Sequence, residues 1–285
     1  MRTKKVILVS GSSGQLGQTL LEKKDLYTNQ YDFFFADRTQ LDLSSEASIY
    51  ECFLKIRPDI FLNFGAYTQV DKAEESKTEA FLINQKACAI LAKLCAQNNC
   101  HLVHISTDYV YSGTGLEAFK ETHIPAPINT YGKSKLAGEK EIIKSTCKYT
   151  VVRTSWLYSK HRSNFVKSMI KYGQERSSLR VVNDQIGSPT WTEDLIDAIF
   201  TLVQQEQLGI FNYSNEGACS WYEFTKLILE LKQINCIVNP IPSTEFVTIA
   251  KRPAYSLMDK SKFKKITGKE IPNWADALKD ALQQF

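Results

Sequence analysis

The feature that most constrains this chain is a glycine-rich loop set directly after its first apolar run. Val6-Ile-Leu-Val9 leads without a break into Ser10-Gly11-Ser12-Ser13-Gly14-Gln15-Leu16-Gly17. The glycines follow a Gly-x-x-Gly-x-x-Gly spacing. Glycine adopts positive φ at no steric cost and lets backbone approach a ligand closely. A helix opening after such a loop aims free amides and the positive end of its dipole at a phosphate. Strand, glycine loop and helix in that order predict a dinucleotide cradle built from Gly11, Ser13, Gly14, Gln15, Leu16 and Gly17. A Gly/Ser-rich turn with no ligand is the plainer alternative; the position between first strand and first helix favours the cradle.

The rhythm that follows extends this reading. Tyr31–Ala36, Asp59–Asn63, His101–Ile105 and Tyr149–Val152 are further short apolar runs, separated by segments of helical spacing such as Thr78–Gln97. Strands alternating with helices imply a doubly wound parallel sheet, and continuous apolar strands fit a sheet covered on both faces. The expected fold class is therefore α/β of the Rossmann kind. Residues 1–155 read as the dinucleotide-binding domain and 156–285 mainly as a smaller C-terminal α/β substrate lobe, with about 191–213 rejoining the first domain. In that lobe Asn164–Glu175, Thr192–Gln205 and Trp221–Lys232 read as helices, and Leu179–Val182 and Ile210–Tyr213 as strands. Pro240–Pro253 reads as loop.

Composition narrows the partners. The 285 residues are 43% hydrophobic and 23% charged, with a net charge of +4, which describes a globular chain rather than a disordered one. Nucleic-acid binding calls for a concentrated basic face, and only short pairs such as Lys4-Lys5 and Lys264-Lys265 occur. No apolar stretch reaches the roughly 20 residues of a membrane span, and no signal run follows the N-terminus. Neither nucleic acid nor membrane is an expected partner. The 7 cysteines include no Cys-x-x-Cys pair, and the 4 histidines form no ligand pattern, so no metal is expected and a reducing, cytoplasmic setting is.

Two further clusters carry chemistry. Asp37-Arg38 ends the second apolar run. An acid there suits a ribose 2′-hydroxyl and NADH; an arginine suits a 2′-phosphate and NADPH. Both are present, and NADPH is the favoured reading. Asp42-Leu43 sits where the chain could pass the adenine, or where Asp42 and Ser44 simply cap a helix. Tyr131-Gly-Lys-Ser-Lys135 places a phenol and an ammonium one helical turn apart. A free tyrosine has a pKa of about 10, and a nearby ammonium favours the phenolate, which would suit Tyr131 as proton donor with Lys135 as its partner. Thr107, in Ser106-Thr-Asp108 at the end of the fourth run, can hydrogen-bond the reacting oxygen.

These segments resemble the extended short-chain dehydrogenase/reductase family and, within it, the dTDP-4-dehydrorhamnose reductases. The strings that carry the likeness include Arg57-Pro-Asp59 with Asn63, Val70-Asp-Lys-Ala-Glu74, Asn84, Ser106-Thr-Asp-Tyr-Val110, Tyr131–Glu139, Arg153-Thr-Ser-Trp156, Asn183-Asp-Gln185, Gly187–Thr190 and Arg252-Pro253. They span the chain almost end to end. The resemblance implies reduction of the C4 ketone of dTDP-4-dehydro-L-rhamnose to dTDP-L-rhamnose, a polysaccharide precursor, with NADPH or NADH as hydride source. It implies that Tyr131 donates the proton, that Lys135 lowers the phenol's pKa and holds the nicotinamide ribose, and that Thr107, Asp108 and Trp156 meet the sugar. Gly65, Ala66 and Tyr67 would run beside the cofactor. Some relatives hold magnesium at a dimer contact through glutamates on the first helix and near the C-terminus; here Thr19 takes the first position and Asp280–Phe285 contains no Glu, leaving Glu193 alone, so no metal is implied while a homodimer stays open.

Three rivals share the fold. A sugar-nucleotide dehydratase would carry Thr-Asp-Glu where this chain has Thr107-Asp108-Tyr109, so the second acid is missing. An epimerase, or a reductase of another nucleotide-4-ketosugar, would keep most of these motifs. A non-catalytic subunit resembling the methionine adenosyltransferase beta subunit would not need Thr107, Tyr131 and Lys135 together.

Overall fold

Apolar residues on alternate sides of each short run give the sheet two buried faces. The computed structural model describes residues 4–115 and 117–285. Its first half runs β1 (Lys5–Ser10), α1 (Gln15–Lys23), β2 (Tyr31–Ala36), α2 (Glu46–Ile56), β3 (Ile60–Asn63), α3 (Ala87–Gln97), β4 (His101–Thr107), α4 (Thr130–Lys144) and β5 (Tyr149–Thr154). Ile7 and Val9 face one core layer with Leu20, Ile196 and Phe200; Leu8 faces the other with Phe53, Phe61 and Leu91. Helices cover both layers, which is why these strands read as unbroken apolar runs.

The longer elements that follow are α5 (Phe165–Glu175), β6 (Ser178–Val182), α6 (Thr192–Gln204), β7 (Gly209–Asn212), α7 (Trp221–Leu231), β8 (Ile237–Ile241) and α8 (Trp274–Leu282), with shorter helices and strands between them. The main sheet has six strands in the order β7-β5-β4-β3-β1-β2, all in parallel register. After Trp191 the chain returns to this sheet: α6 packs on α1, and β7 pairs with β5. The other elements gather α5, α7 and α8 around Val166, Phe224, Ile228 and Leu278. Strand order turns back at β1, so the carboxyl ends of β1 and β3 diverge into a crevice, the position where such sheets hold ligands.

Two local expectations need correction. The helical spacing over 78–97 is interrupted by a π-turn at Leu82–Lys86. Inside that turn Asn84 is buried; its amide accepts from the Tyr67 N–H at 2.9 Å and donates to the Tyr67 carbonyl at 3.0 Å. A Cβ at Gly138 would lie 2.0 Å from the Asn84 carbonyl oxygen, so α4 can approach the turn only through glycine. The Pro240–Pro253 stretch begins as strand, because β8 pairs in parallel with β6 through Ile241. Pro240 is tolerated there because this two-stranded ribbon leaves its missing N–H on a free edge.

Beneath the sheet's carboxyl edge lies a buried ion pair. Glu139 of α4 accepts from Arg153 of β5 at 3.0 and 2.6 Å and from Ser106 Oγ at 2.5 Å. Arg153 also donates to the Tyr111 hydroxyl at 2.9 Å, which donates to Asn212. Both charges are fully enclosed. Removing one partner of such a pair leaves the other charge buried and uncompensated, at a cost of about 3–5 kcal/mol. Glu139→Gln is therefore expected to lower unfolding stability by about that amount in urea titration; a loss below about 1 kcal/mol would contradict it.

Candidate active site

The glycine loop owes its shape to contacts that exclude side chains. Gly11 has φ +64°, and a Cβ there would sit 2.6 Å from the Gly65 nitrogen. A Cβ on Gly17 would meet Ser12 Cα at 2.5 Å. Gly14 caps α1 without a side-chain hydrogen bond, so the first amides of that helix, which have no partner within it, open toward the crevice. This arrangement fits a pyrophosphate, since it offers uncapped N–H groups, the positive end of a helix and backbone bare enough for close approach.

From the loop a cleft of about 1030 Å³ runs along the carboxyl ends of β1, β3 and β4 and beneath the C-terminal lobe. Gly11, Ser13, Gly14, Gln15 and Leu16 line it, as do Arg38, Asp42, Leu43, Gly65, Ala66, Thr107, Asp108, Tyr131, Lys135 and Trp156. Three expected cofactor residues are not on its wall. Gly17 is a packing glycine behind the loop. Tyr67 is buried against the π-turn. Asp37 is turned into its own loop, where its carboxylate accepts from the Thr39 N–H at 2.8 Å and the Thr39 hydroxyl at 2.6 Å. Those bonds hold Asp37 below the usual carboxylate range. Arg38, by contrast, is exposed at the rim, with Asp42 3.7 Å away as its ionic neighbour.

At the inner end, Thr107 donates to Asp108 Oδ1 at 3.0 Å. Asp108 Oδ2 is buried and, among the described residues, makes no hydrogen bond of good geometry, although the Ser256 hydroxyl lies near the carboxylate; burial outweighs the pull of Ser256 and Thr107 and raises this carboxyl to about 6. Tyr131 packs edge-on against Tyr109, with centroids 5.9 Å apart. Its phenol is pushed above the ordinary range, because desolvation outweighs the opposing pull of Thr107. Among the described residues, the hydrogen bonds of Lys135 go to other groups than the phenol. Lys135 is one turn along α4, yet its ammonium is drawn inward, donating to the Ile105 carbonyl at 2.6 Å and lying 3.1 Å from His104 Nε2.

Trp221 and Arg162 at the cleft carry no signal in the sequence, and the contacts of Trp156 and Arg252 are not readable from it. Trp156 has φ +46° and stacks on Trp221, with centroids 3.5 Å apart, so its expected role on a sugar is shared with a second indole. Arg252 bridges Asp71 at 2.7 Å and the Tyr109 hydroxyl at 3.3 Å, tying the loop after β8 to the cleft wall. Arg162 donates to the Ser13 carbonyl. None of these lies in a spacing pattern; they meet only because the lobe folds over the sheet.

The fold and the cleft together define a dinucleotide-dependent oxidoreductase of the extended short-chain dehydrogenase/reductase kind. Residues 4–285 match the family described as RmlD substrate binding domain, and the chain belongs to that family. The spore coat polysaccharide biosynthesis protein SpsK of Bacillus subtilis is 36% identical over 278 residues, covering 98% of this chain and 97% of that protein. The dTDP-4-dehydrorhamnose reductase of Escherichia coli is 34% identical over 292 residues, again covering 98% and 97%. A crystal structure of dTDP-4-dehydrorhamnose reductase from Bacillus anthracis in complex with NADP superposes with a TM-score of 0.95 at 38% identity, covering 99% of this chain and 100% of that one.

The raised Asp108 carboxyl has a consequence for stability. Its ordinary value is 3.8. As pH rises through that value the unfolded chain ionises while the folded one keeps its proton, so stability falls until about pH 6 and then levels off. Asp108→Asn removes this penalty and is expected to be more stable than wild type at pH 7 by on the order of 2 kcal/mol, with the gap closing near pH 4. Asp194, raised to about 6 as well, contributes equally to both proteins. Urea unfolding across this pH range checks the expectation, and a pH-independent gap would contradict it.

Proposed function

We propose that this protein reduces the C4 ketone of dTDP-4-dehydro-L-rhamnose to dTDP-L-rhamnose with NADPH. The observation that carries the reading is convergence: Thr107, Asp108, Tyr131 and Lys135 line the same cleft as an uncapped helix N-terminus and its glycine loop. The relatives named for this reaction, aligned almost end to end, supply the substrate. In this reading the dinucleotide pyrophosphate rests on Gly11–Leu16 and its adenine end passes Arg38, Asp42 and Leu43. Gly65 and Ala66 flank it. Residues 1–155 together with 192–212 act as the dinucleotide-binding part, and the lobe above holds the sugar nucleotide.

When bound, the reduced nicotinamide supplies a hydride to the ketone carbon. The chain's own residues handle the oxygen. Tyr131 gives its phenolic proton to the oxygen as negative charge develops there, and the Thr107 hydroxyl hydrogen-bonds the same atom. The Oδ2 atom of Asp108 accepts a sugar hydroxyl, and Trp156, backed by Trp221, packs on an apolar sugar face. Cytoplasm is the proposed setting, in keeping with seven free cysteines.

Asp37, engaged by Thr39, and Arg38, exposed at the rim with only a 3.7 Å contact to Asp42 among the described residues, favour NADPH over NADH. Following NADPH absorbance with dTDP-4-dehydrorhamnose tests the reaction itself; no substrate-dependent oxidation would overturn it. Tyr131→Phe is expected to keep dinucleotide affinity while losing about 10²–10⁴-fold in kcat, and a near wild-type rate would refute the assigned acid. Arg38→Ala should raise KM for NADPH about tenfold or more while changing KM for NADH less than about threefold. Equal effects on both cofactors would remove the phosphate role.

A further inference from the structure

A chain of buried polar contacts lies under the reactive end of the cleft, and the proposed reaction does not use it. His104 of β4 is 1% exposed. Its Nε2 lies 3.1 Å from Lys135 Nζ, which also donates to the Ile105 carbonyl at 2.6 Å. Its Nδ1 lies 3.0 Å from Asn63 Nδ2 on β3. Asn63 Oδ1 accepts from Ser10 Oγ of β1 at 2.8 Å, and Ser10 Oγ accepts from the Gly65 N–H at 3.3 Å. The contacts thus run from Lys135 across three strand ends to the loop flanking the cleft.

Proton counting makes this chain directional. An ammonium has three protons and no lone pair, so an imidazole nitrogen facing it must be unprotonated. A neutral imidazole carries its one proton on the other nitrogen. That proton on Nδ1 needs an acceptor, which calls for the Asn63 amide turned over from the placement above, its oxygen toward His104 and its nitrogen donating to Ser10 Oγ; in such networks the partners decide the amide's orientation. Two of the three ammonium protons are then taken, by Nε2 and by the Ile105 carbonyl, and the third is left for the cleft.

We propose that His104 is a positioning residue for Lys135: a neutral imidazole, protonated at Nδ1, that accepts one ammonium proton and, with the Ile105 carbonyl, aims the remaining one into the cleft. This rests on the reading of Lys135 as the partner of Tyr131. Burial and the adjacent Lys135 hold His104 far below the usual histidine range, so it does not acquire a competing charge. The other titratable groups facing the pair are Cys88 of α3 and Glu139 of α4. Cys88 Sγ is 3.9 Å from Nδ1, and burial pushes its thiol up to about 11. The Glu139 carboxylate is occupied by Arg153 and Ser106.

Nitrogen-15 NMR of histidine-labelled wild-type protein reads the tautomer without reference to activity. One histidine, identified by its absence in His104→Gln, should show protonated Nδ1 and unprotonated Nε2, with no titration between about pH 5.5 and 9, the span around the free value of about 6.5. The opposite tautomer, or a titration in that range, overturns the proposal. Kinetics supply the second test. His104→Leu, which has no acceptor, should lower kcat about tenfold or more and shift the alkaline limb of its pH profile by about half a unit or more, with KM for the sugar nucleotide within about threefold. His104→Gln, which keeps an acceptor, should restore most of kcat. Unchanged kcat and pH profile in His104→Leu, or losses in both variants that merely track thermal stability, overturn the positioning role. Wild-type protein inactive on the ketosugar would instead sink the proposed reaction and leave the tautomer result standing.

Discussion

The contact between Gly11 and Gly65 is the constraint on which the site depends. The two backbones meet so closely that a single methyl at Gly11 would lie within 3 Å of three Phe64 and Gly65 backbone atoms. This closeness lets the loops after β1 and β3 leave the sheet side by side where the strand order reverses. One loop then leads into the uncapped α1, the other into the cleft wall, and a dinucleotide-sized crevice forms between them. Gly11 also takes a φ of +64° there, a conformation that glycine adopts at no steric cost.

The rest of the cleft is held by buried polar groups rather than by apolar packing alone. The Glu139–Arg153 pair braces α4 against β5 from below. Asn84, inside its π-turn, grips both backbone groups of Tyr67 and also reaches Ser134 Oγ at 2.9 Å, fixing the loop after β3 to the helix that carries Tyr131 and Lys135. Arg252 and Asp71 tie the lobe's long loop to Tyr109. Each of these groups is satisfied, as buried polar groups must be if they are to fix one geometry. Asp108 Oδ2 is a departure from that rule and lies on the cleft wall, where an unmet acceptor has a use.

Much of the fold was legible because its signals are local. Apolar runs, glycine spacing and the Tyr-Gly-Lys-Ser-Lys turn each lie within a few residues, and strand-to-helix order follows from them. The details the sequence left undecided are those in which a side chain had two outlets. Asp37 could face a ribose or its own turn, and Thr39, two residues on, offered a nearer donor. Lys135 could face Tyr131 or the strand beneath; the Ile105 carbonyl and His104 lay closer. The π-turn was invisible because the groups packed against it, Gly138 and Tyr67, come from other segments of the chain.

Sequence alone determined that this is a doubly wound α/β chain with a phosphate-ready loop, a phenol and an ammonium on one helix face, and a threonine at the end of the fourth strand. Each of those follows from short-range periodicity and backbone sterics. Only tertiary structure decided which groups are free to act. It turned Asp37 inward and left Arg38 open, paired Trp156 with Trp221, and buried His104 against Lys135. Those outcomes depend on competition among donors and acceptors brought together from distant segments, and a linear string does not state which partner will be nearest.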